Sequence, residues 1–338
     1  MNKKEIRLSM PTRYIINIVL TVAFLAVGTI LMGTGIFNRA TTAIIQQIGI
    51  YIILAISLNM VTGYLGQLPL GHAGFMAVGA YVAGILWKLM AAWPAWVAVP
   101  IGLVAAGIIS ALFGVIIGIP ALRLKGDYLA IITLGFGEII RICIINLPSI
   151  TGGTPGLLNI PKHSSFFVVF TAVAVACYVI HTIMHSRHGR AILAIRENEI
   201  AADACGVNLT RYKVFAFAVS AFFAGLAGAL YAGYQGSLFP KSFDFMQSIN
   251  ILVMVVLGGM GSMMGSVIAA TVLTALPLVL QSLSEYRMLI YSLLLIIVMI
   301  FKPSGLMGNF DFSLTNILED LLNGRLFKKK AKGGTDNE

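Results

Sequence analysis

The feature that most constrains this chain is a series of long apolar runs that carry almost no charge. A helix of about 18 or more apolar residues is long enough to cross the hydrocarbon core of a bilayer. Five runs clear that length, at 14–32, 44–62, 95–119, 214–234 and 262–283, and five shorter or weaker runs lie at 70–86, 128–147, 166–184, 248–260 and 288–301. The chain is 58% hydrophobic and 11% charged, whereas soluble proteins carry about 25% charged residues. The sequence therefore predicts an all-α integral membrane protein of about ten transmembrane helices.

The distribution of basic residues predicts the orientation of these helices. If the N-terminus is cytoplasmic and all ten runs cross, the inside loops hold 17 of the 23 Lys and Arg residues. This is the positive-inside pattern of membrane proteins. We expect a cytoplasmic N-terminus (1–13), a multi-pass transmembrane domain (14–302) and a cytoplasmic C-terminal tail (303–338). The same bias accounts for the net charge of +10, so no nucleic-acid partner is predicted.

Two glycine-rich segments interrupt the apolar pattern, GYLGQLPLGHAGF at 63–75 and LGGMGSMMG at 257–265. Irregular backbone persists in a membrane only where it is buried in protein or lines a water-filled cavity. We therefore predict that both segments lie on the translocation pathway, and close helix packing through small residues is the alternative. Broken helices in two halves are also compatible with an inverted repeat. The predicted pathway residues are Gly63, Gly66, Gln67, Gly71, His72, Gly74, Gly258, Gly259 and Gly261.

Two charged residues, Glu138 and Arg141, lie inside the apolar run 128–147. Residues three apart face each other on a helix, and a lone membrane charge costs about 2.5 to 3.5 kcal/mol on insertion scales. We expect the two side chains to neutralise each other or a neighbouring helix. Both are candidate pathway residues, with a purely structural ion pair as the alternative.

A long polar segment at 185–213 is predicted to be cytoplasmic. Good helix formers over 194–204, followed by Gly206, predict a short helix outside the membrane. It is either a solvated connector or a surface on which an external motor acts. Two turn-rich segments, TGGTPG at 151–156 and FPKSF at 239–243, fall on the outer side. They are either plain turns or a rim that receives a substrate carrier.

Motifs for nucleotide binding and catalysis are missing from the sequence. No Gly-Lys dipeptide occurs, so the P-loop pattern is excluded, and neither H-E-x-x-H nor G-x-S-x-G is found. The chain is not expected to be an enzyme, and no catalytic residue, cofactor or metal site is predicted. If transport consumes ATP, another subunit binds it. The rival hypothesis is an ion-coupled secondary transporter in which Glu138 binds the proton or cation.

Five motifs occur in the same order as in a known family, between about residues 44 and 303. They are GYLGQLPLGHAGF, RLKGDYLAIITL from 123, TGGTPG, GRAILAIRENE from 189 and VLGGMGS from 256. The chain resembles branched-chain amino-acid ABC transporter permeases of the LivM type. The resemblance implies a bacterial cell-membrane complex of two permease subunits, two ATP-binding subunits and an extracytoplasmic binding protein that delivers leucine, isoleucine or valine. Permeases of urea and short-chain amide importers look similar, which leaves that cargo as an alternative.

The resemblance also implies a coupling helix in the segment 185–213. In ABC importers such a helix, often marked Glu-Ala-Ala with a following glycine, docks in a groove of the ATPase. The sequence EIAADACG at 199–206 is similar, although Ile200 separates the acidic residue from the alanines. The predicted coupling residues are Arg196, Glu197, Glu199, Ala201, Ala202 and Gly206.

Overall fold

A computed structural model describes residues 10–34, 38–124 and 126–279 of the chain, together with isolated residues at 292–293, 296 and 305. The described residues form a bundle of α-helices, and none of them lies in a β-strand. In chain order the helices are α1 (Met10–Gly33), α2 (Arg39–Asn59), α3 (His72–Leu89), α4 (Ala95–Ala121), α5 (Asp127–Ile145), α6 (Pro148–Thr151), α7 (Phe166–His185), α8 (Arg187–Glu197), α9 (Glu199–Ala204), α10 (Leu209–Gln235), α11 (Phe245–Gly258) and α12 (Met263–Val279). A π-helical turn, Met60–Tyr64, continues α2.

The predicted all-helical membrane architecture is confirmed by the length and composition of these helices. Six of the described helices are long and apolar enough to cross a membrane: α2 with its π turn, α3, α4, α5, α7 and α10. Shorter apolar stretches occur in α1, α11 and α12. The predicted run 288–301 lies almost wholly outside the described residues, as does the tail 303–338. The count of ten, the cytoplasmic termini and the inverted repeat stay predictions.

Helix α10 lies at the centre of the bundle, where it packs against α2, α3 and α4. Glycines make this close packing possible. A Cβ atom added to Gly228 would collide with the backbone carbonyl of Met76, and one added to Gly79 would collide with the backbone of Gly225. Small residues bring transmembrane helices together in this way, because lipid provides no hydrophobic force between them. Much of the glycine in this chain therefore serves helix packing.

Buried hydroxyl groups add hydrogen bonds between the packed helices. The Ser220 hydroxyl in α10 donates to the carbonyl of Ser57 in α2 over 2.7 Å. The Ser110 hydroxyl in α4 donates to the carbonyl of Phe75 in α3 over 3.1 Å. Polar groups inside a membrane protein must find such partners, since neither lipid nor a dry core supplies any.

The helix connections fall at two opposite ends of the bundle. One end carries α8 and α9, the π turn after α2 and the C-terminal end of α4; we call it the α8–α9 end. The other carries α6 and the segments 152–165 and 236–244, and we call it the α6 end. There, Leu157 and Leu238 form an antiparallel bridge with backbone N···O distances of 2.9 Å in both directions.

Helix α5 lies at the periphery of the described bundle. Only 22% of its most apolar 18-residue stretch is buried inside the bundle, whereas the corresponding fraction for α10 is 61%. Ile131, Ile139 and Ile142 lie on its exposed side. This surface is suited to an apolar environment, either lipid or another membrane subunit.

Candidate functional site

The predicted coupling segment consists of two short helices, so the prediction of a single helix over 194–204 is wrong. Asn198 separates α8 from α9, and its backbone is extended at φ −160° and ψ 110°. The side-chain Oδ1 of Asn198 accepts hydrogen bonds of 3.0 Å from the N–H groups of Ile200 and Ala201. Asparagine is among the strongest helix N-caps because its side chain competes with helix continuation in this way. The predicted end at 204 is confirmed, and Gly206 follows with a φ of +82°.

Arg196, in the last turn of α8, is hydrogen-bonded to the first glycine-rich segment and lies close to the second. Its Nη1 donates a 2.8 Å hydrogen bond to the carbonyl of Gly63. A Cβ atom added to Gly66 would lie 3.1 Å from its Cγ, and one added to Gly261 would lie 3.1 Å from its Nη1. A cation is favoured at this position, because the last carbonyls of a helix carry partial negative charge and lack intrahelical donors. One side chain therefore joins the coupling segment to the first break and borders the second.

Asn59, at the end of α2, joins the same two breaks from inside the bundle. Its Nδ2 donates to the carbonyl of Ser262 over 3.0 Å, and its Oδ1 accepts from the N–H of Gly261 over 2.9 Å. The residue is 1% exposed. Sequence reasoning missed Asn59, although an amide in the C-terminal half of the apolar run 44–62 was the available signal.

Four predicted pathway glycines lie where no side chain fits, namely Gly63, Gly71, Gly74 and Gly258. A Cβ atom added to Gly74 would come within 2.9 Å of the Cα of Gly137 in α5. One added to Gly258 would lie 2.5 Å from backbone atoms of Gly265. These glycines therefore support close packing, which was the alternative explanation.

The connection between the π turn and α3 runs into the bundle and is held by polar contacts. The backbone N–H of Leu70 donates to the Thr133 hydroxyl of α5 over 2.9 Å. Nε2 of His72 lies 2.9 Å from the hydroxyl of Ser57, and the imidazole is buried. The Oε1 atom of Gln67 is also buried and has no hydrogen-bond partner among the described residues. Left-handed turns occur at Gly66, with φ +76°, and in the second break, with φ +107° at Gly259 and +92° at Gly261.

An ion pair fixes α9 to the start of α10. The Glu199 carboxylate and the Lys213 ammonium lie 2.6 Å apart, and Lys213 is only 5% exposed. A buried cation requires such a partner, because desolvation penalises an unpaired charge. Ala202 is also buried, whereas Glu197 and Ala201 are exposed. The inserted Ile200 is 79% exposed, so α9 presents an apolar side chain beyond the bundle.

The predicted charged pair lines a pocket at the α6 end. Arg141 donates to Glu138 through Nε at 2.8 Å, and its Nη2 lies 2.7 Å from the same Oε2 atom. The predicted ion pair is therefore confirmed, with both side chains about one quarter exposed. The pocket has a volume of about 650 Å³ and is lined by Glu138, Arg141, Ile145, Thr154, Phe239, Pro240, Lys241, Asp244 and Phe245. Its lining includes residues from both turn-rich segments and from the start of α11.

The predicted pathway residues thus divide between the two ends of the bundle. The glycine-rich segments meet each other and Arg196 at the α8–α9 end. Glu138 and Arg141 lie in the pocket at the α6 end. Lys241 and Asp244 also line this pocket but were not predicted as site residues. Together these features describe a polytopic membrane transport protein, with polar and irregular backbone held inside an apolar bundle.

Comparison with known proteins gives the family. A family model described as "Branched-chain amino acid transport system / permease component" matches residues 40–299. The chain belongs to this permease family. It is 39% identical over 304 residues to the high-affinity branched-chain amino acid transport system permease protein LivM of Salmonella typhimurium, and likewise to LivM of Escherichia coli, in each case covering 80% of this chain and 70% of the relative. It is also 27% identical over 285 residues to LivH of Salmonella typhimurium, covering 76% of this chain and 91% of LivH.

Proposed function

We propose that this chain is a membrane-spanning permease subunit of an ATP-binding-cassette importer for branched-chain amino acids. Its relatives LivM and LivH are both named as permeases of such a transport system. Similarity to two different permeases supports pairing with a second permease subunit. The remaining partners are two ATP-binding subunits at the α8–α9 end and an extracytoplasmic binding protein at the α6 end. The complex resides in the bacterial cell membrane.

The structural observation that carries this proposal is the position of Arg196, which is hydrogen-bonded to the first glycine-rich segment and lies close to the second. The ATPase docks on the junction of α8 and α9, where Glu197 at the end of α8 and Ile200 in α9 are exposed. Movement of α9 reaches α10 through the Glu199–Lys213 ion pair and reaches the two breaks through Arg196. Such movement drives transport only if the docking surface interacts differently with the ATP-bound and ATP-free states of the ATPase.

The test is to replace Arg196 in the reconstituted complex of permeases, ATPases and binding protein. We expect Arg196→Gln to abolish most ATP-driven leucine uptake in proteoliposomes while the complex still assembles and hydrolyses ATP. The reason is that glutamine keeps a hydrogen-bonding side chain but loses the charge and the reach of the guanidinium. Arg190→Gln is the matched control, because Arg190 is an exposed arginine on the same helix.

Three possible results of the uptake assay would favour an alternative to this proposal. Coupled uptake that survives in Arg196→Gln contradicts the proposed coupling route. Uptake by the parent chain alone, without ATP, indicates the ion-coupled transporter. Uptake of urea but not leucine by the complete complex retains the importer and changes its cargo.

A further inference from the structure

We propose that the pocket at the α6 end binds a free zwitterionic amino acid with an apolar side chain. Lys241 receives the carboxylate, and Asp244 and Glu138 receive the ammonium group. This inference rests on the proposed function and deepens it, because it gives the permease its own contact with the cargo.

The formal charges of the pocket lining sum to zero and include both signs. Glu138 and Asp244 are acidic, and Arg141 and Lys241 are basic. An added cation or anion would leave an uncompensated charge in a partly desolvated site, which is costly. A zwitterion leaves the total charge unchanged and offers each sign a partner.

The contacts inside the pocket leave carboxylate oxygens and an ammonium group available to a ligand. Arg141 uses two nitrogens on one oxygen of Glu138, so the Oε1 atom of this carboxylate is not engaged by Arg141. The Oδ1 atom of Asp244 accepts the N–H of Gln247 as the N-cap of α11 over 3.1 Å, and a carboxylate has acceptor capacity on its second oxygen as well. Lys241 is exposed and forms no ion pair with a residue that the structure describes. Its ammonium group is thus available to a carboxylate.

The rest of the lining suits an apolar side chain. Ile145, Phe239 and Phe245 contribute apolar surface, and both phenylalanines are 44% exposed. Small-molecule sites are typically apolar clefts of about 300 to 1,000 Å³ with a few placed polar groups. The pocket, at about 650 Å³, falls in that range. Charged ends and an apolar body together describe leucine, isoleucine or valine, whereas urea has neither.

The test is protection of an introduced cysteine, which does not depend on delivery by the binding protein. Thr154 is an exposed pocket residue, and Thr154→Cys is placed in a background in which Cys143, Cys177 and Cys205 are replaced. The rate of its reaction with N-ethylmaleimide is measured in the complete permease–ATPase complex without binding protein. Leucine at about ten times its dissociation constant should slow the reaction about tenfold by mass action.

Two analogues and two variants make the result specific. Leucinamide lacks the carboxylate and 4-methylpentanoate lacks the ammonium group, so neither should protect at the same concentration. Lys241→Met keeps the side-chain length without the charge, and Asp244→Asn keeps the N-cap, because asparagine caps helices as well as aspartate. Each should remove protection by leucine. The matched control is Leu158→Cys, an exposed site in the same segment that does not line the pocket; it should react but show no protection.

Equal protection by leucine, leucinamide and 4-methylpentanoate overturns the inference, and so does protection by none of them. Full protection by leucine in Lys241→Met also overturns it. ATP-driven leucine uptake by the cysteine-replaced parent is measured in parallel with the binding protein added. If uptake is intact and protection is absent, only the pocket assignment fails. If the parent shows no ATP-driven leucine uptake, the proposed function itself fails.

Discussion

Replacing Asn59 should separate the two glycine-rich breaks and lower the stability of the bundle. Asn59→Ala removes the donor to the Ser262 carbonyl, in a buried position, and the acceptor for the Gly261 N–H, in a partly buried one. Interhelical hydrogen bonds measured in membranes contribute about 0.6 kcal/mol each. A buried group left without a partner costs about 1 to 3 kcal/mol. Only the Gly261 N–H is left without a partner, because the Ser262 carbonyl still accepts from the Ser266 N–H at 3.2 Å and from the Ser266 hydroxyl at 3.1 Å. One such group and one lost hydrogen bond together lower the free energy of unfolding by about 2 to 4 kcal/mol.

The assay is reversible unfolding of the purified chain in mixed micelles, followed by circular dichroism. Asn59→Leu is measured beside Asn59→Ala, because leucine fills the volume of the amide and separates a lost hydrogen bond from a new cavity. Asn146→Ala is the matched control, since Asn146 is exposed and bonds only to the carbonyl of Ile142 in its own helix. We expect this control to change stability by less than about 0.5 kcal/mol.

An unfolding free energy in Asn59→Ala and Asn59→Leu equal to that of the parent would refute the reasoning. It would mean that Gly261 and Ser262 are held in place by helix packing alone. A loss in Asn59→Ala that Asn59→Leu restores would assign the effect to the cavity and not to the hydrogen bonds.

Two further predictions follow from the packing and the ion pair. Gly79→Ala should destabilise the purified chain by about 1 to 3 kcal/mol, because the methyl group meets the backbone of Gly225. Gly135→Ala should be neutral or stabilising by up to about 1 kcal/mol, because an added Cβ would meet no atom within 4 Å among the described residues outside the neighbouring backbone of its own helix. A larger loss of stability in Gly135→Ala than in Gly79→Ala would contradict the packing argument. Glu199→Lys should reduce ATP-driven leucine uptake severalfold, since it places two cations where an ion pair held α9. The double variant Glu199→Lys with Lys213→Glu should recover part of the uptake, and no recovery would show that Glu199 acts otherwise than through Lys213.

The long apolar runs predicted the transmembrane helices well because hydropathy and helix length are local properties. The run 166–184 corresponds to α7 (Phe166–His185), and the run 95–119 to α4 (Ala95–Ala121). Helix α10 begins earlier than its run, at Leu209, because Asn208 accepts the N–H of Arg211 and caps a polar first turn. Hydropathy does not register a polar turn that continues the same helix.

The contacts that define the candidate sites could not be predicted, because they join distant parts of the chain. Arg196 and Gly63 are 133 positions apart, and Asn59 and Ser262 are 203 apart. No local pattern specifies which carbonyl a surface arginine reaches. The split between α8 and α9 is different in kind, since the Asn198 N-cap is a local signal. It was outweighed by the helix-forming residues on both sides.

Helix α11 connects the two candidate sites physically. Asp244 caps its first turn and also lines the charged pocket. The helix ends at Gly258, inside the second break, to which Asn59 is hydrogen-bonded at Gly261 and Ser262. With 14 residues it is about 21 Å long, shorter than the roughly 30 Å hydrocarbon core of a bilayer. A shift of this helix moves its capping residue and the second break together, because a helix transmits displacement along its axis as one packed element. In the proposed function, amino acid at the pocket and ATPase movement at α8 and α9 therefore act on opposite ends of one short helix.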